Sequence, residues 1–279
     1  MNTRTICGVL IGLAAALFAL FPAQAEQPTA GQILQTTGAT GGLVVHVGCG
    51  DGKLTAALRA NDRYLVHGLE SEPANVERAR RHARSLGLYG KVSIQHWTPG
   101  RLPYAENLVN LLVVEDPSAV SAEEMLRVLV PDGVAYCNKD GRWTKTVKPC
   151  PDQIDEWTHW LHGPDGNAVA QDDVVGPPRR LQWAARPFWS RHHNLMPSIS
   201  AMVSSGGRLF CIIDDAPAAM EGTTPDKWAL VASDAFNGIE LWRIPIAHWG
   251  WKAWSGRWEG RFNQPNHVPK RLVAVGQTV

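Results

Sequence analysis

The 279-residue chain carries 27 Lys and Arg against 26 Asp and Glu, for a formal net charge of +1. That balance, without any Lys/Arg-rich run, removes the electrostatic case for a nucleic-acid partner. The length allows one large domain or two ordinary ones.

The opening stretch, MNTRTICGVLIGLAAALFALFPAQAEQ, places Arg4 before an apolar run from Ile6 to Phe21. It ends on Ala23-Gln24-Ala25, the small-x-small form that signal peptidase cuts after. Residues 1–25 are therefore expected to be a secretory signal cleaved after Ala25, giving an exported protein, periplasmic or secreted. The competing assignment is a membrane anchor, but the run is shorter than the roughly 20 residues a span needs. No membrane span is expected after cleavage, because no later stretch is long and apolar enough. Residues 26–39 read as a linker. Cys7 leaves with the signal, and Cys49, Cys137, Cys150 and Cys211 have neither zinc-site nor haem-attachment spacing, so no metal is expected. Export permits a disulfide. Cys137–Cys150 is the pair close enough in sequence to form one, and free thiols are equally compatible.

Residues 30–140 alternate short apolar runs with helical patterns, as a parallel α/β sheet does. Strands are predicted at Leu43–Val47, Tyr64–Leu69, Val92–His96, Leu108–Glu115 and Gly133–Cys137. The strongest helix is predicted over Glu72–Leu86. Pro73 lies in its first turn, Val76, Ala79, Ala83 and Leu86 recur at helical spacing, and Gly87 stops it. Arg78, Arg80, Arg81 and Arg84 read as its solvated side.

Tryptophan marks the change that follows. Of twelve, only Trp97 precedes Trp143, and the rest run from there to Trp258. From about Asp152 the pattern is β. Residues 206–213 (GGRLFCII) and 228–242 (WALVASDAFNGIELW) read as strands, the second folded at Phe236-Asn237-Gly238, since Asn-Gly readily takes positive φ. The stretch Arg271–Val279 reads as one more strand, and a pattern that stops there is expected of a truncated product. Trp157, His159, Trp160 and His162, with Arg191-His192-His193, are read as packing at the domain junction rather than as metal ligands. Trp249, Trp251, Trp254 and Trp258 are read as buried pins rather than a sugar-binding surface.

The first strand runs into Gly48-Cys49-Gly50-Asp51-Gly52-Lys53. A dinucleotide fingerprint is G-x-G-x-x-G, and here the third glycine comes one residue early. The spacing suits instead the loop whose backbone approaches the amino-acid part of S-adenosylmethionine. Glu70, about 20 residues on at the end of YLVHGLE, is the carboxylate that would accept hydrogen bonds from ribose hydroxyls. On these residues, 40–150 resembles a class I S-adenosylmethionine-dependent methyltransferase domain. The chain as a whole resembles exported bacterial proteins in which such a domain precedes a β-propeller of pyrroloquinoline-quinone-like repeats. That second likeness rests on KTVKPCPDQIDEWTHWLHGPDGNAVAQDDVVGPPRRLQW, WSRHHN and LVASDAFNGIELWRIPI.

The expected fold class is thus an α/β Rossmann-like methyltransferase domain at 40–150, followed by an all-β, incomplete propeller at 151–279. The resemblance implies that His46, Gly48, Cys49, Gly50 and Gly52 line the methionine end of the ligand. It places Glu70 on the ribose, and Trp97 and Thr98 beside the adenine. It also exposes a departure. Methyltransferases place Asp or Glu two residues before the first glycine to orient the ligand's ammonium, and this chain has His46. Glu115, Asp116 and His96, at the carboxyl edge of the sheet, are the candidate catalytic residues. Three functions are carried forward. The first is methyl transfer to an unknown acceptor. The second is a non-catalytic envelope binding or scaffolding protein with envelope protein partners and a vestigial domain. The third is part of a quinone-dependent dehydrogenase, although residues 151–279 supply roughly two or three blades where closure takes roughly four to eight, so no quinone site is expected here.

Overall fold

The structure is a computed structural model and describes residues 27–174, 176, 181–187, 198–217, 226–250, 268–276 and 278–279. The stretch expected to be a signal (residues 1–25), Arg191-His192-His193, and Trp251, Trp254 and Trp258 lie outside the described residues. No helix of the described residues is long and apolar enough to cross a membrane.

The first helix, α1 (Ala30–Thr37), occupies most of the stretch expected to be a linker. Its start is a reciprocal capping box between Thr29 and Gln32, and Gly38 closes it at φ 76°. Lys145 Nζ donates to the carbonyls of Thr36 and Thr37, placing a cation at its negative end. Ile33 is fully buried in the core, which makes α1 part of the α/β unit.

The strands β1 (Gly42–Val47), β2 (Tyr64–Glu70), β3 (Val92–His96), β4 (Val109–Val114), β5 (Leu129–Lys139) and β6 (Arg142–Val147) form one sheet in the order β3-β2-β1-β4-β5-β6. All pairs are parallel except β5–β6. Every residue of β1 is buried, as a central parallel strand covered on both faces should be. One face packs Val44, Val66 and Leu111 under α1, α2 (Lys53–Leu58) and α3 (Pro73–Ser85). The other packs Val45, Leu69 and Leu112 against Trp97, Leu102 and α4 (Ala122–Val128). The five strands predicted up to Cys137 and the Pro73-started helix form, with Gly87 at φ 68° just past the end of α3. The strand order reverses at β1, between β2 and β4. Open α/β sheets bind ligands at the carboxyl side of that point.

β5 and β6 are joined by Asp140-Gly141, both at positive φ, as a two-residue hairpin turn requires. Their register puts Val134 opposite Val147 and Cys137 opposite Thr144. Cys150 therefore follows the far end of the hairpin from Cys137, and the disulfide between them is not formed. All four described cysteines are free.

The second sheet is an antiparallel meander of β7 (Ile199–Ser205), β8 (Arg208–Asp214), β9 (Trp228–Asp234) and β10 (Glu240–Pro245), in the order β10-β9-β8-β7. Gly206 and Gly207, at φ 58° and 69°, form the β7–β8 turn. The strand expected at Arg271–Val279 is not formed. A 3-10 turn ends at Arg271, and the described residues beyond it make only an isolated bridge, Val275 to Thr278. Leu272 and Ala274 nonetheless pack into the second sheet's core.

The turn between β9 and β10 docks on the amino edge of the first sheet. Asn110 Nδ2 donates to Asp234 Oδ2 at 2.6 Å, and Asn110 Oδ1 accepts from Leu43 N and Asn237 Nδ2. Asn237 Nδ2 also donates to Leu108 O. Of the Asn-Gly pair, Gly238 takes positive φ, while the Asn237 side chain serves this contact. Asp234 is buried, and desolvation raises its pKa.

Candidate functional site

The carboxyl edge, opposite the docked turn, is where the site residues gather. After Val47 the chain bends through Gly48, Gly50 and Gly52, all at positive φ (77°, 53° and 80°). The reasons for glycine differ along the bend. A Cβ on Gly52 would stand 2.7 Å from Ala79 Cβ, so this glycine lets α2 lie against α3. A Cβ on Gly50 would meet nothing within 4 Å, so Gly50 borders open space. Its role is backbone conformation and room for a neighbour.

Glu70, the last residue of β2, is buried beside that bend. Its Oε2 accepts from Gly50 N at 2.7 Å, and Oε1 accepts from Ser71 N and Glu72 N at 3.0 and 3.1 Å. An ionised carboxylate offers about four acceptor positions. Oε2 has given up one of its two to Gly50, and the other is oriented by the bend. A ribose hydroxyl donating to Oε2 fits this donor set. The same backbone donors keep the carboxylate fixed before any ligand arrives.

Cys49 belongs to the site through its backbone alone. Its side chain is buried against the sheet, where a Cβ on Gly68 would be 2.9 Å from Sγ. Burial, with the neighbouring Glu70 charge, pushes this thiol up to about 12, so it is inert at neutral pH. Trp97 is also a core residue: its ring packs with Leu69 and Leu102, and its indole N–H donates to Arg101 O. Thr98 alone of that pair is exposed. The indole expected beside the adenine lies in the core, with its N–H held by Arg101 O.

The three candidate catalytic groups separate. His96 is exposed at the end of β3, with Nε2 3.0 Å from Ser71 O. Asp116 caps the 3-10 turn Pro117–Ala119, and the hydrogen bond from Ser118 holds its carboxyl below the usual range. Glu115 follows β4 and meets His46: Oε1 lies 3.1 Å from His46 Nε2 and accepts from Gln27 Nε2 at 2.9 Å. His46 is only 2% exposed, and its Nδ1 lies 2.8 Å from Thr55 Oγ1. Thr55 and Gln27 were not singled out in the sequence. Thr55 sits in the first turn of a short helix, and Gln27 lies in a stretch with no periodic pattern.

Beside Glu115 opens a cleft of about 740 Å³, lined by Asp116 to Ser118 and by the hairpin turn from Asn138 to Gly141. Among the described residues no group of three or more His, Cys, Asp or Glu is placed to hold a metal. The histidines at the junction have protein partners. His162 Nε2 pairs with Asp155 Oδ2 at 2.6 Å, and His159 Nδ1 with Thr158 Oγ1 at 2.8 Å. Trp249 Nε1 donates to Ser200 Oγ, against the second sheet's core.

Residues 44–133 match the family model described as a methyltransferase domain. With the sheet order, the glycine bend and Glu70, the chain carries a Rossmann-like domain of the class I S-adenosylmethionine-dependent methyltransferase type. S-adenosylmethionine is the cofactor of that class, as read from the glycine spacing. No curated protein matches the chain.

Solved structures similar to it include an S-adenosylmethionine-dependent methyltransferase from Methanococcus maripaludis, described as putative, at 22% identity and a TM-score of 0.36. A sarcosine dimethylglycine methyltransferase from Galdieria sulphuraria, also described as putative, is 19% identical at a TM-score of 0.35. A geranyl diphosphate C-methyltransferase from Streptomyces coelicolor is 20% identical at 0.36. Each match covers 39% of this chain and, in the same order, 52%, 44% and 43% of the other. The chain thus spans about half the length of the solved proteins it matches.

Proposed function

We propose that the α/β unit binds S-adenosylmethionine across Gly48–Gly52 and Glu70 and transfers its methyl group to a polar small molecule held in the cleft beside Glu115. The observation that carries the reading is the hold of Glu70 Oε2 on Gly50 N, 2.7 Å away, at a glycine whose outer side is open. The sulfonium cofactor supplies the activated methyl group. The protein's share is to align the acceptor and exclude water, which can supply most of the acceleration such a transfer needs. Asp116, held below the usual carboxylate range, is a weak base, so an acceptor that is already nucleophilic suits this site.

In this reading the chain works after export, with residues 1–25 as its signal. The four-stranded meander serves as the first blade of a repeat architecture; its order β10-β9-β8-β7 supports that use. A second reading, a non-catalytic envelope scaffold, draws on His46 standing where a carboxylate is expected. Titration calorimetry with S-adenosylmethionine and S-adenosylhomocysteine separates the two. The enzyme reading expects saturable heat that Glu70→Ala abolishes. No heat at millimolar ligand removes it and leaves the scaffold.

A further inference from the structure

His46 poses a chemical problem at this site. The amino-acid end of S-adenosylmethionine carries an ammonium, which needs an anionic or carbonyl acceptor once it leaves water. The first strand supplies no carboxylate, and His46 is buried with both ring nitrogens occupied. The next strand supplies one.

We infer that Glu115 is the anion that receives the ligand's ammonium group, and that His46 and Gln27 hold it in place for that task. This rests on the proposed binding of S-adenosylmethionine at the glycine bend. Three observations carry it. First, Glu115 lies against the first glycine: a Cβ on Gly48 would stand 3.2 Å from Glu115 Cβ. Its side chain, 22% exposed, forms the lip between the bend and the cleft. Second, its two oxygens are unequal. Oε1 takes His46 Nε2 and Gln27 Nε2, whereas Oε2 accepts from no described residue. Third, among the described residues no Lys or Arg pairs with Glu115, so its charge is available to a ligand.

The bonding order through His46 fixes its role. With Thr55 Oγ1 donating to Nδ1, the ring donates from Nε2 to Glu115, an assignment made from the network. A hydroxyl, an imidazole and a carboxylate in series resemble a nucleophile triad, but Thr55 is fully buried and cannot touch a substrate. The series instead fixes the imidazole, which fixes Oε1 and leaves Oε2 without a partner among the described residues. Glu115 is therefore a binding residue and His46 a positioning residue. The single oxygen left free is better used as a fixed charge than as a base.

The test compares two probes by calorimetry. S-adenosylhomocysteine has the amino-acid end, and 5′-methylthioadenosine lacks it. Glu115→Gln is expected to weaken S-adenosylhomocysteine about tenfold or more while leaving methylthioadenosine within about twofold. His46→Gln should lower the same preference by a smaller factor, which a merely structural role would not do. Should the variants fail to fold, the unmodified protein is still informative. Decarboxylated S-adenosylmethionine, which keeps the amine, should bind about tenfold or more tighter than methylthioadenosine. Equal loss of both probes in Glu115→Gln, no loss at all, or no preference for the amine in the unmodified protein overturns the inference and leaves the binding site standing. Binding of none of these probes overturns both.

Discussion

Two alanine substitutions two residues apart, at Gly50 and Gly52, separate folding from binding. Both glycines have positive φ, 53° and 80°. A non-glycine residue in that region costs about 1–2 kcal/mol. Gly50→Ala should incur that cost alone, because its new methyl would meet no protein atom within 4 Å. Gly52→Ala adds an overlap, since the methyl would stand 2.7 Å from Ala79 Cβ and 2.9 Å from Ala79 Cα. The Cα cannot yield without moving α3, and overpacking of this kind costs about 1–3 kcal/mol more. Thermal melts followed by circular dichroism should fall by roughly 2–8 °C for Gly50→Ala and about twice as far for Gly52→Ala. Calorimetry should rank the functional damage the other way. Gly50→Ala puts a methyl where a ligand's backbone approach is required, and should lose about tenfold or more in affinity for S-adenosylhomocysteine at a temperature where it is fully folded. If Gly50→Ala bound as the unmodified protein does, the open side of that glycine would not be the ligand's side. If both variants melted together, the α2–α3 packing argument would be wrong.

The Glu124–Arg127 pair ties α4 to the preceding loop, with Glu124 Oε1 accepting from Leu102 N and Arg127 donating to the carbonyls of Leu102 and Tyr104. Arg127 holds the Glu124 carboxyl below its usual range, so the pair's contribution is full above the unfolded value of about 4.3 and is lost as pH falls through the folded one. Glu124→Gln should therefore cost about 1–3 kcal/mol at pH 7 and progressively less as pH falls below the unfolded value in paired melts; a cost that does not change with pH would refute the pairing. Asn110→Ala strips the amide partner from buried Asp234 and leaves Leu43 N without its acceptor. A loss of about 2–4 kcal/mol in denaturant titration is expected, and a change under ~0.5 kcal/mol would show that the two sheets do not depend on this contact. For the cysteines, Cys150 is exposed, Cys49 is buried and Cys211 half-buried, the last two with thiols pushed up to about 12 and about 11. Maleimide in mass spectrometry should label Cys150 first and the other two only on unfolding, and reductant should leave the melt unchanged. A reductant-sensitive melt would mean that a disulfide forms after all.

Features of the site that are local in sequence were legible there. The glycine bend, the carboxylate at the end of β2 and the Pro-started α3 each announce themselves within a few residues, because bend, strand end and helix cap are set by neighbours along the chain. What escaped was non-local or lacked contrast. β6 is exposed at nearly every position, so it shows no apolar alternation, although Asp140-Gly141 was a readable turn. α1 is eight residues long and buries one large side chain, too little to stand out from a linker. The stretch after Arg271 is apolar because Leu272 and Ala274 cover the second sheet, not because they join it. The His46–Glu115 contact spans 69 positions, and no spacing rule joins two residues on adjacent parallel strands that far apart.

The two edges of the parallel sheet have been put to opposite uses. At the amino edge, Asn110 spends both atoms of its amide on β1 and on the β9–β10 turn, and the charge it faces, Asp234, is kept out of water. A buried polar contact of that kind fixes geometry because every alternative leaves a group unsatisfied. At the carboxyl edge, Glu70 is held through both oxygens, Oε2 by a single donor, while Glu115 is held through Oε1 alone within the described residues. A carboxylate held by one oxygen is both positioned and available, whereas one fully bonded is only structural. The parallel strands β1 and β4 run from the clamped edge to the open one. The second sheet therefore holds the same strands whose tips carry Gly48 and Glu115, and does so without covering the site. On that arrangement, loosening the turn at Asn237 should reach the ligand only through the global stability of the sheet. Asn237→Ala is then expected to lower the melting temperature while leaving affinity for S-adenosylhomocysteine unchanged at temperatures well below the transition.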